Sequence, residues 1–483
     1  MNSLVDNKNT ISVCIIAKNE SDFIYDCIKS LEDIADEVIL VDTGSSDNTI
    51  ELAKDLGAKI YQIPWQNDFS QARNKSIEYA NGDWILWIDA DERLDNLTKH
   101  NIKTAAADNT IDAYILKIYN YMSDDVDNDV VITENVRLWR NKPEYRFRYA
   151  IHESISDSII ENNGIIGSLN TIIHHFGYKP DIIQSRDKKK RNIDILQNEL
   201  IKEPNNPHVL YHFAQEYFEI NEFEKSSEYA KRAIDNMPIS SNLAKSAYLI
   251  LADSLSLSGK SHMALDVLNR AYDYGLYNME LSFAKARALL NIGRYDEAIN
   301  EFKNTKELAK SSIGDMAAAG YKSDCGIATA LYAKGDFESA YNICKELLEK
   351  HPNFADAREI AVNCLLNLGI ECAKNGKLND SIKSFDLCLE LDNAVADAYY
   401  MKGEIFFAIE DYQSALESYT MANKLLPKNL KILQSIANCY IKQGNYSDAI
   451  NILEEAITLA PENSQINESL KLCKLIKSKL KAA

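Results

Sequence analysis

Apolar runs and amphipathic stretches alternate along the first part of the chain, a pattern that reads as strand–helix repeats. Ile11-Ser12-Val13-Cys14-Ile15-Ile16-Ala17 is a strand closed by Lys18-Asn19-Glu20. Ile24, Cys27, Ile28 and Leu31 follow at helical spacing, and Glu37-Val38-Ile39-Leu40-Val41-Asp42 is a second strand. It stops at Thr43-Gly44-Ser45-Ser46-Asp47-Asn48-Thr49, where Ser and Asp can cap a helix carrying Ile50, Leu52, Ala53 and Leu56. A third strand is expected from Ala58 to Ile63, a helix from Phe69 to Ala80, and a fourth strand from Trp84 to Asp89. The order predicts a parallel sheet whose ligand edge carries Asn19, Glu20, Asp42, Asp89 and Asp91. Two more strands are expected at Ile111–Tyr121 and Val130–Arg140, and a short one over Phe147–Ile151.

After Pro180 the pattern becomes nearly continuous helix with short breaks. Asp181 to Glu203 reads as a joining helix, whose basic run from Arg186 to Arg191 is best explained as a solvated face, with an approach to a diphosphate as the alternative. Beyond it, small and aromatic residues recur: Gly403, Tyr412, Ala415, Tyr419, Ala422 and Pro427 return as Ala437, Tyr446, Ala449, Leu453, Ala456 and Pro461. Each offset is 34, the tetratricopeptide period. Spacings stretch near Ser311–Asp324 and Ala355–Asn363, where longer helices or degenerate repeats are expected. The predicted division is 1–178 as an α/β domain, 179–205 as a connecting helix, 206–462 as about seven repeats and 463–483 as a closing helix. Such an array is a binding surface rather than a chemical one, with a rigid spacer as the plainer alternative.

Candidate chemistry sits where the fourth strand ends. In Trp87-Ile88-Asp89-Ala90-Asp91-Glu92, two carboxylates one residue apart reach into one space if the backbone stays extended. Hard oxygen ligands at that edge suit Mg²⁺ or Mn²⁺ held jointly with substrate phosphates; a solvent-exposed or helix-capping pair is the alternative. Asp125, Asp127 and Asp129 have the first spacings of a calcium loop, but Val130 and Val136 stand where glycine and glutamate are needed. That segment reads as an acidic hairpin tip.

Five pieces in order resemble the family-2 glycosyltransferases with their GT-A, Rossmann-like nucleotide-sugar fold: Ala17-Lys18-Asn19-Glu20, Val41-Asp42-Thr43-Gly44-Ser45-Ser46-Asp47, Phe69-Ser70-Gln71-Ala72-Arg73-Asn74, Trp87–Glu92, and Arg137-Leu138-Trp139-Arg140 with Phe147 and Ile151-His152-Glu153. The resemblance covers roughly the first 178 residues. It implies that Glu20 and Asp42 lie by the nucleobase and ribose, Asp89 by the ribose or metal, and that Asp91 ligates a metal bridging the donor phosphates. The family often has Asp-Asp where this chain has Asp42-Thr43, leaving Asp42 alone for any base reading. Arg73 is expected to fasten a phosphate or to hold the acidic cluster, with a structural salt bridge as the equal alternative. Glu153 is expected to be the base of an inverting displacement, with His152 orienting it or touching the donor; in the rival reading Glu153 only hydrogen-bonds the sugar. His174-His175-Phe176-Gly177 is similar to a segment of other GT-A enzymes in which a histidine is a late metal ligand, which favours His175 over His174. An ordinary structural histidine is the alternative there.

Composition adjusts this picture modestly. A formal charge of −19 argues against nucleic-acid or anionic-membrane surfaces. Nine cysteines without a Cys-x-x-Cys pair read as buried reduced thiols, and so as a cytoplasmic protein. No signal or membrane span is expected, because residues 1–10 are polar and no apolar run approaches 18 residues. The sequence therefore points to a metal-dependent inverting transferase using a nucleotide sugar, UDP-linked by resemblance, on a peptide or protein held by the repeats. It resembles bacterial enzymes of that architecture that modify bacteriocin peptides on cysteine or flagellar proteins on Ser/Thr. Transfer to surface polysaccharide or lipid-linked sugar is the second reading, and a scaffold with a disabled transferase domain the third. A nucleotidyltransferase is disfavoured, since Lys18-Asn19-Glu20 offers no glycine loop. A long helical array is compatible with a homodimer.

Overall fold

A computed structural model describes residues 9–121, 130–177, 186–309, 318 and 320–482. The acidic tip at Asp124–Asp129 and the chain around Pro180 lie outside the described residues, as do the side chains of residues 186–189 in the basic run. Contacts divide the chain into two units, Met1–Ser323 and Asp324–Ala483.

In the first unit the strands are β1 (Ile11–Ala17), β2 (Glu37–Asp42), β3 (Lys59–Gln62), β4 (Trp84–Trp87), β5 (Glu92–Leu94), β6 (Ala113–Tyr121), β7 (Val130–Arg140) and β8 (Ile166–His175). They form one sheet in the order β3-β2-β1-β4-β7-β6-β8-β5. The first four strands pair in parallel as the strand–helix order requires, but β7 joins β4 antiparallel and β5 joins β8 antiparallel. The sheet is thus mixed rather than parallel. Helices α1 (Ile24–Ser30), α2 (Thr49–Asp55), α3 (Phe69–Glu78), α4 (Asn101–Ala106) and α5 (Ser156–Glu161) connect and flank it. Ile15, Leu40, Trp84, Leu86 and Leu138 are fully buried in the core between β1, β2, β4 and β7.

Two expectations change locally. β4 ends at Trp87, so Asp89 and Asp91 stand in the turn beyond the strand and period-two alternation does not govern their directions. The stretch Phe147–Ile151 is not a strand. Tyr149 (φ +66°) and His152 (φ +53°) take left-handed conformations that break extension, leaving one antiparallel bridge, Arg148 to Ser154.

The same unit continues through α6 (Arg186–Lys202), α7 (Pro207–Glu219), α8 (Phe223–Asn236), α9 (Ala244–Leu257), α10 (Ser261–Asp273), α11 (Met279–Asn291) and α12 (Tyr295–Ala309). The Asn206 side chain caps α7 by accepting from His208 N and Val209 N, with Pro207 at the first helical position. Ile195 and Leu196 of α6 and Val209 and Phe213 of α7 bury Ile151 from the sheet domain in one apolar cluster, against which Phe69 packs. The first three hairpins therefore belong to the same compact unit as the sheet, a boundary that residue periodicity alone does not reveal.

The second unit continues the pattern as helix pairs from Tyr321–Lys334 with Phe337–Lys350 to Leu430–Lys442 with Tyr446–Leu459, followed by Ser464–Ala482. The long helix Ala355–Lys374, 20 residues, accounts for one stretched spacing. Within each pair the turn is left-handed: Asn221, Gly259, Gly293, Gly335, Gly376, Glu410 and Gly444 all have positive φ. Glu410 (φ +64°) stands where glycine would be free of the Cβ–carbonyl clash. Glu410→Gly should stabilise the unit by roughly 0.5–1 kcal/mol, read as a thermal midpoint raised by about 1–3 °C. An unchanged or lower midpoint would contradict this. No helix among the described residues is long and apolar enough to cross a membrane.

Candidate active site

The motif Phe69-Ser70-Gln71-Ala72-Arg73-Asn74 builds one wall. Asp68 caps α3 by accepting from Gln71 N, and the helix then presents its polar residues to the 147–154 loop. Asn74 grips the backbone of Phe147 at both ends: its Nδ2 donates to the carbonyl (3.0 Å) and its Oδ1 accepts from the amide (2.8 Å). Phe69 N donates to Ala150 O, and Ser70 Oγ to Tyr149 O. Arg73, only 6% exposed, reaches past that loop. Its Nε donates to Glu153 Oε1 and its Nη2 to Asp89 Oδ1 at 2.9 Å.

Arg137 on β7 makes a second, parallel linkage. Its guanidinium binds Glu92 bidentately, at 2.9 and 2.7 Å, and Glu92 Oε2 in turn accepts from Asp89 N at 2.8 Å. Both guanidinium groups lie over Trp87, with centroid distances of 4.1 Å for Arg73 and 3.9 Å for Arg137. Burial alone would favour neutral forms, yet the charges of Asp89 and Glu153 hold Arg73 above the usual arginine range. Burial likewise works to raise the Asp89 carboxyl, and Arg73 and Arg137 overcome it and hold that carboxyl below the usual carboxylate range. Asp89 is thus kept ionised by two buried arginines.

Strand register builds the metal-side corner. β5 and β8 place Glu92 opposite His175, and β6 and β8 place Asn120 opposite His175. Asp91 Oδ2 and His175 Nε2 come within 3.2 Å, while His175 Nδ1 lies 2.8 Å from Asn120 Oδ1. Asn120 Nδ2 donates to Val131 O and Thr133 Oγ1, which fixes the amide so that Oδ1 accepts the Nδ1 proton. His175 Nε2 is then the nitrogen turned to Asp91. Burial pulls the imidazole pKa down, but the Asp91 hydrogen bond and the charges of Asp91, Glu92 and Asp89 raise it above the ordinary value. Gly177 leaves room for this corner: a Cβ there would lie 2.1 Å from Asp91 Oδ2, so the carboxylate would have to shift. His174, in contrast, meets Tyr121 OH at 2.7 Å and Asp95 at 3.4 Å on the other side of the strand.

A divalent cation fits this donor set in a limited way. Asp91 and His175 supply one oxygen and one oriented nitrogen, and no group of three or more His, Cys, Asp or Glu among the described residues could hold a metal unaided. A hard cation that keeps waters and shares substrate phosphates needs no more than two protein ligands.

Arg73, Trp87, Asp89, Glu92, Asn120, Arg137, His152, Glu153 and His175 line one cleft of about 450 Å³, and His208 and His212 of α7 complete its wall. Asp91 adjoins it through His175. Glu20 and Asp42 are not among its lining residues. Asp42 is fully buried, and its carboxylate accepts the Gly44 and Ser45 amides (3.0 and 3.1 Å), bracing the turn after β2. Glu20 sits at the end of β1, its amide donating to Thr49 Oγ1. Glu92 and Arg137 lie inside the recognisable motifs but have no role assignable from the sequence alone, and Asn120, His208, His212 and Glu216 lie outside those motifs. A readable signal existed for the last three: polar residues at i, i+4 and i+8 on a helix whose other faces are apolar. All nine cysteines are free, and burial pushes the Cys14 thiol up to about 12.

Residues 12–175 match the family described as glycosyl transferase family 2, and residues 325–474 the tetratricopeptide repeat protein 21 C-terminal ARM domain. Among curated proteins, a TPR repeat-containing protein of Synechococcus elongatus is 32% identical over 206 residues, 41% of this chain and 50% of that one. The SPbeta prophage-derived glycosyltransferase SunS of Bacillus subtilis is 32% identical over 238 residues, 47% of this chain and 54% of that one. The chain thus spans about half the length of these two relatives. A solved tetratricopeptide repeat protein from Cytophaga hutchinsonii is 15% identical over 54% of this chain and 99% of its own, with a TM-score of 0.41. The chain carries a glycosyltransferase family 2 domain followed by a C-terminal repeat region of the TPR/ARM type.

Proposed function

We propose that the cleft transfers a sugar from a nucleotide sugar, UDP-linked, to a peptide or protein acceptor recruited by the helical repeats, with inversion at the anomeric carbon. The observation that carries this reading is the convergence of the Asp91–His175 pair with the Arg73-held Glu153 on one cleft. Asp91 Oδ2 and His175 Nε2 would hold Mn²⁺ or Mg²⁺ together with the donor diphosphate. When bound, the metal supplies positive charge against the departing diphosphate.

The chain's own groups do the rest. Glu153 accepts the proton of the acceptor nucleophile as that atom bonds to the anomeric carbon, and the carbon–oxygen bond to the diphosphate breaks. Arg73 keeps Glu153 and Asp89 in place, and His152, which lines the same cleft, would orient Glu153 or touch the donor. The C-terminal repeats and the matching repeat protein of Synechococcus favour a macromolecular acceptor.

The test is nucleotide release from a panel of UDP-sugars with Mn²⁺. Asp91→Asn should lower release by about 10²- to 10³-fold, and a chelator should do the same to the native chain. Release unaffected by either would remove the metal from the reaction. Glu153→Gln separates acceptors. A hydroxyl nucleophile needs the base, whereas a thiol with pKa of about 8.5 tolerates its loss, so surviving transfer would point to cysteine.

A further inference from the structure

The His152-Glu153 segment is held in an unfavourable shape. His152 has φ +53° and Tyr149 φ +66°, conformations that side chains with a Cβ rarely adopt. What holds them comes from the helical side. The His152 ring stacks on His212 with centroids 3.9 Å apart and planes 6° from parallel. Its Nε2 meets Glu216 Oε1 at 3.3 Å. His208 Nε2 donates to the His152 carbonyl at 3.0 Å, and its ring stacks on Tyr149 at 3.8 Å. His208, His212 and Glu216 are successive turns of one face of α7. Asn192 of α6 fixes Glu216 in turn, donating to the same Oε1 at 2.8 Å. Glu216 is 3% exposed, too buried for a solvated surface role.

Charge arranges this stack as well. Burial and the neighbouring imidazoles push the His212 pKa well below the usual value, and burial takes His208 down to about 4. Both rings are therefore neutral near pH 7, and neutral rings can stack closely without repulsion.

We propose that His212 and Glu216, on the first helix of the repeat array, are positioning residues of the active site, holding His152 in its left-handed conformation and so fixing Glu153 beside Arg73 in the cleft. The role assigned to Glu153 rests on the glycosyl-transfer reading above; the restraint of the loop does not. The clamp has three parts that can be removed separately: the stacking surface of His212, the acceptor oxygen of Glu216 and the Cβ of His152 that makes the conformation costly.

Hydrogen exchange on the full chain tests it, because Arg148 N and Ser154 N close the loop by donating to each other's carbonyls (3.0 and 3.1 Å). His212→Ala and Glu216→Ala should speed exchange at these two amides, and should lower UDP release from UDP-glucose or UDP-N-acetylglucosamine about 10- to 100-fold with donor affinity by calorimetry unchanged. His212→Phe, which keeps a flat ring, should restore both. In a His152→Gly background, where left-handed φ costs little, His212→Ala should add no further loss, whereas a merely structural His212 would cost the same in either background. Equal protection of the loop amides in the native, His212→Ala and Glu216→Ala chains overturns the proposal. If the native chain releases no UDP, the transfer reading fails while the exchange measurement still decides the clamp.

Discussion

Arg73→Met is expected to abolish transfer and to lower stability by about 3–5 kcal/mol. Arg73 is the only side chain that joins Glu153 to Asp89 among the described hydrogen bonds, and it does so while 6% exposed. Removing it leaves the Glu153 carboxylate, 9% exposed, without its cation. The large penalty arises from that stranded charge rather than from the loss of a favourable bond. Arg73→Lys should recover little, because one ammonium nitrogen on a shorter stem cannot occupy the places of both Nε, which meets Glu153, and Nη2, which meets Asp89. Urea denaturation checks the first half, and a cycle with Glu153→Gln checks the cause. The double variant should be clearly more stable than the sum of the two single losses predicts. Simple additivity would show that Arg73 and Glu153 do not depend on each other.

The second large effect concerns where the catalytic unit ends. A chain stopped at residue 178, the boundary suggested by the change of pattern after Pro180, is expected to lose transfer completely. Ile151 would be stripped of Ile195, Leu196, Val209 and Phe213, and exposing one such side chain costs about 1.5–3 kcal/mol. The Ala150 amide would lose the Glu199 carboxylate (2.6 Å), and His152 would lose His208, His212 and Glu216. A chain stopped at Ser323, the end of the first compact unit, should keep cooperative unfolding and metal-dependent donor cleavage. Donor cleavage by the shorter chain at the native rate would refute the dependence.

The contrast between those two boundaries shows what periodicity can and cannot reveal. Strand alternation and motif order carried the eye to Arg73, Asp89, His152, Glu153 and His175, which line one cleft. Arg73 lies on α3, His175 ends β8 and Asp89 follows β4, all placed by the strand–helix order, whereas His152 and Glu153 sit on an irregular loop that only the motif resemblance singles out. Glu92 and Arg137 form a bidentate pair across 45 residues, and no local pattern links them. Asn120 matters only because strand register sets it opposite His175. Helical spacing shows that α7 has a polar face bearing His208, His212 and Glu216, but which surface that face meets is a tertiary fact. Asp89 and Asp91 show the opposite difficulty: they lie two and four residues past the end of β4, where alternation no longer sets side-chain direction.

Asp42 illustrates a subtler limit. A carboxylate at a strand end is visible in the sequence, but its direction depends on the turn that follows. Here the amides of Gly44 and Ser45 turn it inward, where it is fully buried.

The repeating left-handed turns have a further consequence for how such a protein can diversify. The residues described as lining the cleft all fall within Met1–Ser323, and the hairpins of the second unit are punctuated alike at Gly376, Glu410 and Gly444, 34 residues apart. Duplication or loss of one such cassette alters the reach of the array while leaving the chemistry untouched. The hairpin that begins with α7 has no such freedom, since its face is committed to the His152 loop. Array length and the cleft can therefore evolve on separate clocks, while the α7 face stays fixed by its contacts with the His152 loop.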